Sequence, residues 1–202
     1  MKGWGEMHVL VVHAHPSPTS YSRAVCDTAE RALRGGGHAV TVLHLDDEGF
    51  RPAMSAAERL AYHSDTPILD PQVGRHAALV EQAEALVFVY PTWWAGPPAV
   101  LKGWLERVLV PGVAFHLDPT TRRVEPALRH VRRLVGISTY GSSRLYVRVL
   151  GDPGRRTILR ALRMLCARRC RGTWLALYGM DTSTLEQRAA FLTHVDHELG
   201  AL

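Results

Sequence analysis

Apolar and polar positions along the chain switch repeatedly between two periods. Met7-His-Val-Leu-Val-Val-His-Ala-His-Pro16 is a short β-branched run closed by proline, the pattern of a strand buried on both faces. From Ser20 the spacing becomes helical, with Ala24, Val25, Thr28, Ala29, Ala32 and Leu33 on one stripe and Gly35-Gly-Gly37 as its stop. His38 to Leu43 predicts a second strand. Asp46 to Pro71 is polar without a clear period, apart from a short helix at Ser55 to Tyr62 capped by Ser55 with Glu58 three residues on. That stretch is too long for a tight turn and reads as a functional or partner-contacting excursion.

Helical spacing returns over Val73 to Ala83 and leads into Ala85 to Tyr90, a third buried strand closed by Pro91. Pro97 and Pro98 suit the first turn of a helix carrying Val100, Leu101, Trp104, Leu105 and Val108. Arg132 to Thr139 predicts a fourth strand, Thr157 to Arg168 a fourth helix, Thr173 to Tyr178 a fifth strand, and Thr184 to Leu199 a last helix. Strands that alternate with helices require a parallel sheet covered on both faces, because parallel neighbours need long right-handed crossovers. The expected architecture is a doubly wound α/β domain spanning residues 1–202, with strand order 2-1-3-4-5. Ligands of such a sheet bind beyond the carboxyl ends of its strands, at the switch point between the first and third.

Composition agrees with one ordinary core. The 202 residues are 47% hydrophobic and 21% charged, and a chain of this length buries about 70% of its unfolded surface without needing a disulfide or structural metal. Cys26, Cys166 and Cys170 are too few and scattered for a disulfide framework, which favours a reducing cytoplasm. No apolar run approaches the ~18 residues of a membrane span, and Met1 to Glu6 is too short and polar for a secretory signal. Neither membrane insertion nor export is expected. The formal charge of +5 permits phosphate, nucleic acid or anionic lipid without choosing among them.

Three predicted loops fall at the ligand-binding edge. After strand one, His13-Ala-His-Pro-Ser-Pro-Thr-Ser-Tyr-Ser22 brings hydroxyls to a helix N-terminus, which suits phosphate, although it has neither the GxGxxG nor the GK[ST] pattern. After strand three, Tyr90-Pro-Thr-Trp-Trp-Ala-Gly-Pro-Pro98 sets two tryptophans at the mouth of the sheet, a wall for a planar ligand. After strand four, Ser138-Thr-Tyr-Gly-Ser-Ser143 offers amides, hydroxyls and a glycine to a ring's polar rim. Each loop alone also fits an ordinary cap, a core or interface tryptophan, or a turn.

Those segments, with Pro98-Ala-Val-Leu-Lys-Gly-Trp104, Glu106-Arg107 and Pro111-Gly-Val-Ala-Phe115, resemble the flavodoxin-like NAD(P)H:quinone oxidoreductases over nearly the whole chain. The resemblance implies a homodimeric flavoprotein that takes a hydride from NAD(P)H onto flavin N5 and passes two electrons to a quinone-like acceptor in a ping-pong cycle. It implies that His15, Thr19, Ser20, Tyr21 and Ser22 hold the flavin phosphates. Pro91, Thr92, Trp93, Trp94 and Ala95 would line the isoalloxazine ring, and Thr139, Tyr140 and Gly141 would bond its pyrimidine edge. FAD is favoured, with FMN as the alternative, since both share the ring and first phosphate. Trp93, Trp94 and Tyr146 would form the substrate pocket, and Glu106 and Arg107 a structural or cofactor-proximal pair.

Two departures stand out. Trp93 replaces a glutamine of the mammalian members, making the pocket more apolar, and nothing at Gly151 to Gly154 supplies the histidine that accompanies the tyrosine matched by Tyr146. Tyr146 and Tyr140 are left as candidate catalytic side chains, with loop amides able to steady charge on a reduced ring.

Other features read as structure. Arg155, Arg156, Arg160, Arg163, Arg168, Arg169 and Arg171 surround the fourth helix without aromatic residues to stack bases, so a solvated or interface face is expected rather than nucleic acid, with NADPH's 2′-phosphate as a possible target for some. The pairs Cys166/Cys170 and His13/His15 supply two ligands each, which does not make a metal site. A rival reading from another class is a flavin-binding regulatory subunit of a membrane transport system. An electron-shuttling flavodoxin is disfavoured by the positive charge.

Overall fold

The computed structural model describes residues 5–121 and 123–202. Most of the polar start, Met1 to Trp4, lies outside them. Strands β1 (His8–His13), β2 (Ala39–His44), β3 (Ala85–Pro91), β6 (Arg133–Tyr140) and β7 (Arg171–Tyr178) form one parallel sheet in the order β2-β1-β3-β6-β7. In order along the chain these are strands 2-1-3-4-5, as the alternation of periods predicts. A separate antiparallel pair, β4 (Phe115–Leu117) with β5 (Val124–Pro126), was not expected. Its three-residue strands, one ending in proline, carry too little pattern to read.

Residues of alternate parity within each strand face opposite layers. Val9, Val11, Val87, Val89, Val135 and Ile137 pack beneath α1 (Tyr21–Gly35) and α7 (Leu185–Gly200). Leu10, Val12, Leu86, Phe88 and Leu134 face α3 (Pro71–Gln82), α4 (Ala99–Val108) and the segment following α6 (Pro153–Arg156). Both faces of the central strands are therefore dry, which is why they read as unbroken apolar runs. The one gap in that pattern is Gly136, where a Cβ would lie 2.1 Å from the Trp174 ring of the neighbouring strand. The indole fills the space that a side chain on β6 would take.

Helix ends follow their capping chemistry. Ser20 accepts from Arg23 N–H at the start of α1, and Gly37 (φ +84) turns the chain after it. Ser55 with Glu58, and Thr184 with Gln187, form complete capping boxes at α2 (Ala56–Ala61) and α7. Several boundaries shift by one or two residues, as at α4, which begins at Ala99 with Pro98 as its N-cap rather than in its first turn, and two elements differ more. Strand β6 runs through Tyr140, so Ser138 to Tyr140 pair with Ala176 to Tyr178 and the loop begins only at Gly141. The continuous helix expected over Thr157 to Arg168 is instead the short α6, a π turn over Thr157–Ala161 and a 3-10 turn over Leu162–Leu165. Pro153 at its first position sets the start four residues earlier.

Buried side chains tie the polar excursion over 46–71 to the body of the fold, with Phe50 in the core, His76 2.9 Å from Glu48, and Arg107 making the most contacts. Arg107 on α4 donates from Nε and Nη2 to Glu58 Oε1 at 2.9 and 2.6 Å, from Nη2 to Asp70 Oδ2 at 2.8 Å, and from Nη1 to the Arg51 carbonyl. Its guanidinium lies 5.3 Å from the Phe50 ring centroid. Two helices, α2 and α3, are thus held by the same fork. Glu106 beside it is exposed and pairs with Lys102 instead, so the two residues divide between core and surface. Both cysteines of the Cys166/Cys170 pair are buried in the core, in keeping with packing.

Because Arg107 is almost fully buried, truncating it strands the Glu58 carboxylate. Arg107→Ala is expected to lower unfolding free energy by about 3–5 kcal/mol, and Arg107→Lys to recover only part of it, since an ammonium cannot reproduce the fork. Urea denaturation measures both; an Arg107→Ala loss below about 1 kcal/mol contradicts the assignment. The Arg107 hydrogen bond holds Asp70 below the usual carboxylate range, so its contribution is present above that range and lost as pH falls through its lowered value.

Candidate functional site

The carboxyl ends of β1, β3 and β6 lie side by side, and specific contacts join the loops that leave them. Ala14 N–H donates to the Val89 carbonyl at 3.1 Å, binding the first loop to β3. Thr92 N–H donates to the Thr139 carbonyl at 2.8 Å, and Thr92 Oγ1 lies 2.9 Å from Ser138 Oγ, binding the second loop to β6. The His15 ring sits 5.8 Å from the Trp93 ring. The three segments singled out in the sequence are therefore brought to one edge.

In the first loop, His15 Nδ1 accepts from Ser17 N–H at 3.0 Å and Ser17 Oγ meets the exposed Thr19 Oγ1 at 3.3 Å. Ser20 spends its hydroxyl on the helix cap. The side chains of Tyr21 and Ser22 do not face a ligand. Tyr21 Oη donates to the Arg188 carbonyl at 2.8 Å, its phenol pushed up to about 12 by burial, and Ser22 Oγ is buried 3.3 Å from His13 Nε2. What these two residues present is backbone. Their amides, the first two of α1, have no hydrogen-bond partner among the described residues, and such amides at a positive helix end are the donors a phosphate needs.

The second loop is a tight turn closed by reciprocal Trp93–Gly96 backbone bonds of 3.0 Å. Trp94 (φ +49) and Ala95 (φ +60) both occupy the left-handed region, the signature of a type I′ turn that asparagine and glycine normally supply. Each costs roughly 1–2 kcal/mol there. The turn leaves Trp93 half exposed and Trp94 wholly so, while Pro91 is buried at the strand end.

The third loop differs most from expectation. Tyr140 is buried, its hydroxyl donates to Asp152 Oδ1 and Oδ2 at 3.0 and 3.2 Å, and its ring stacks on Tyr178 at 4.9 Å. Burial, reinforced by the Asp152 charge, raises the Tyr140 phenol well above its ordinary value, so it holds its proton. Its hydroxyl is thus engaged within the fold, and only Thr139, Gly141 and the backbone are left to meet a ring edge. At Gly141 a Cβ would stand 2.5 Å from Asp181 Oδ2, the movable tip of an exposed side chain. Tyr146, on α5 (Arg144–Val149), is more than half exposed with a free phenol rim.

Asp152 went unread in the sequence. It adopts φ +46, caps α6 by accepting from Arg155 N–H, and receives the Tyr140 hydroxyl. Burial, and after it the Asp152 charge, raises Tyr90, whose buried Oη at the same edge lacks a partner among the described residues. The Asp152-Pro153 dipeptide, an N-cap followed by a first-turn proline, was the available signal.

Beneath the first loop, His13 Nδ1 lies 3.2 Å from the half-buried His44 Nδ1, and the buried Cys26 thiol, pushed up to about 12 by burial, completes a trio. His13 turns inward while His15 turns toward Trp93, so the two histidines on one strand end do not converge. Burial, then the His44 and Arg23 charges, depress His13 to about 3.

Fold and site together define a flavodoxin-like α/β protein with its ligand loops at the β1/β3 switch point. A family model described as a flavodoxin-like fold matches residues 7–194, and the chain belongs to that family. Rat NAD(P)H dehydrogenase (quinone) 1 is 30% identical over 152 residues, covering 68% of this chain and 55% of that protein. The chain thus spans about half the length of that relative. Mouse ribosyldihydronicotinamide dehydrogenase (quinone) is 28% identical over 204 residues, covering 91% of this chain and 87% of that one. The solved NAD(P)H:quinone oxidoreductase of Methanothermobacter marburgensis superposes with a TM-score of 0.80 at 25% identity, over 97% and 96% of the two chains. No helix among the described residues is long and apolar enough to cross a membrane.

Two outcomes test this geometry. Trp94→Gly removes left-handed strain, so its urea midpoint should equal or exceed the parent's despite loss of a large side chain; a drop beyond about 1 kcal/mol shows that the ring packs rather than projects. For His13, the folded value lies below the unfolded one of about 6.5, so protonation favours unfolding. Stability should decline as pH falls from about 6.5 toward 3, and a His13→Gln variant should flatten that decline in pH-dependent denaturation.

Proposed function

We propose that the chain is an NAD(P)H-dependent flavin oxidoreductase that passes two electrons to a quinone-like acceptor by alternate use of one pocket. The observation that carries this reading is the convergence of three loops, a set of free helix amides, a projecting aromatic wall and a polar rim, on one edge of a flavodoxin-like sheet. When bound, a flavin would supply the two-electron redox chemistry between nicotinamide and acceptor.

The residues fit such a group on their own geometry. The Tyr21 and Ser22 amides, with His15 and Thr19 beside them, would take its phosphates. The buried Asp46 Oδ2 and Tyr90 Oη at the edge have no partner among the described residues, and a ligand rich in hydroxyls and ring nitrogens provides one. Trp93 and Trp94 would exclude water from the ring face, and Thr139 and Gly141 would bond its polar edge. Tyr140, kept protonated by burial and bonded to Asp152, positions the 141–152 loop and moves no proton. Tyr146 has the free hydroxyl that can donate to an oxygen of the acceptor.

FAD is the favoured nucleotide by resemblance to the quinone oxidoreductases, with FMN as the alternative; a Bacillus anthracis FMN-dependent NADH-azoreductase, solved with FMN, shares the fold at a TM-score of 0.73 and 15% identity. A homodimer is part of the proposal. Trp94, Leu145, Tyr146 and Val149 are exposed around the site, an apolar rim that a second copy would cover while completing the pocket.

The purified protein should carry a yellow chromophore released by acid as one nucleotide. Nicotinamide should bleach it anaerobically, a quinone should restore it, and double-reciprocal plots should be parallel. Intersecting lines exclude alternate occupancy, and a protein that stays colourless with either flavin nucleotide excludes the reading altogether. Trp93→Ala should weaken flavin retention or acceptor turnover about tenfold or more.

A further inference from the structure

A second concavity, separate from the tryptophan wall, wraps the outer edge of β7. Its volume is about 1250 Å³, and it is lined by Arg144, Arg148, Arg155, Arg156, Arg160 and Arg163 from α5, α6 and the turns that follow. The single carboxylate on its wall is Asp152, already engaged by Tyr140 and the α6 cap. None of the six guanidinium groups forms an ion pair with a carboxylate among the described residues, whereas Arg23, Arg31, Arg34, Arg107 and Arg132 all do. Six uncompensated cations in one cleft exceed the net charge of the whole chain, +5. Concave cationic walls focus potential and raise the local concentration of anions.

The cleft adjoins the third loop of the candidate site. Tyr178 and Asp152 belong to its wall, and both contact Tyr140, at the end of β6. Trp174 and Leu175 lie further down the strand, so the concavity leads from the ligand edge along β7. A molecule with one end against the tryptophan wall and anionic groups reaching this cleft is elongated and carries phosphates away from its reacting ring. A dinucleotide has that shape, and a quinone does not.

We propose that the β7 cleft binds the 2′-phosphate of the reducing dinucleotide and so selects a donor that bears one. The inference rests on the oxidoreductase reading for its ligand. Selection follows from charge: the 2′-phosphate adds a dianionic group, and guanidinium forks bind phosphate bidentately with charge-assisted hydrogen bonds. Nucleic acid offers the same phosphate chemistry. The dinucleotide is favoured because the cleft adjoins the candidate site for a planar ring, and few aromatic side chains, Trp174, Tyr178 and His194, stand on its own wall.

The test uses the flavin-loaded protein and the double variant Arg155→Gln/Arg160→Gln. Both residues are exposed, and neither side chain donates a hydrogen bond within the described chain. Calorimetric titration with adenosine 2′,5′-bisphosphate, which needs no redox chemistry, should show binding that is absent with 5′-AMP and weakened about tenfold or more in the variant. Stopped-flow reduction should show the same loss for NADPH, a change under about threefold for NADH, and an unchanged rate of reoxidation by quinone. Arg155→Lys/Arg160→Lys should retain charge-driven binding and part of the preference.

Equal binding of the two adenosine ligands, equal use of NADH and NADPH, or an indifferent variant overturns the proposal. So does single-stranded RNA that binds more tightly as its length increases and is released in the variant, an outcome that assigns the cleft to nucleic acid. If neither nicotinamide reduces the parent protein while the bisphosphate still binds, the oxidoreductase reading fails and the anion site stands.

Discussion

The parallel pairing of β3 with its two neighbours is the constraint on which the site depends. Val89 opposite His13 and Pro91 opposite Thr139 fix where three chains leave the sheet. In a parallel ladder a register shift moves every apolar side chain to the wrong layer, and here both layers are filled, by α1 and α7 on one side and α3 and α4 on the other. Core packing therefore sets the positions of His15, Trp93 and Gly141 relative to one another. Function-bearing loops can then be irregular, because the strands they leave cannot slide.

Polar contacts refine what the sheet sets. Thr92 joins the β3 and β6 exits through both backbone and hydroxyl, and Asp152 holds the far end of the 141–152 loop through Tyr140. Arg107 performs the same service for the 46–71 excursion from the opposite layer. Each is a buried or half-buried group whose partners lie far away in sequence, and removal of any one leaves an unsatisfied partner rather than a neutral gap.

That distinction explains what could be read from the sequence. The five strands of the sheet and α1, α3, α4 and α7 declare themselves through β-branched runs, helical stripes, capping residues and stop signals, all local. The convergence of the loops after β1, β3 and β6 follows from topology once the strand order is known. Local signals are weak for three-residue strands such as Phe115–Leu117, and for a six-residue helix such as α5. They do not reveal partners 37 and 49 residues from Arg107. Nor do they tell that Tyr21 and Ser22 offer amides while their hydroxyls point into the fold, since side-chain direction depends on where α7 and His13 lie. The arginine run was visible as charge, but which of its guanidinium groups share one cleft depends on how α5, α6 and β7 come together.

The distribution of strain separates this edge from the rest of the molecule. Among the described residues the non-glycine positions with positive φ are Trp94, Ala95 and Asp152, and all three lie at the carboxyl ends of the strands. The other positive-φ positions are glycines, Gly37, Gly49, Gly112, Gly151 and Gly179, where such a backbone costs little. A chain that uses glycine at its ordinary turns but keeps tryptophan, alanine and aspartate in the same region at one edge is holding side chains there against local preference. Stability alone would favour glycine at position 94. The indole stays in solvent on a strained turn, and Asp152 keeps its carboxylate where glycine would relieve the backbone but release Tyr140. Such a concentration of local conflict in an otherwise consistent fold is the physical mark of a surface shaped for a ligand.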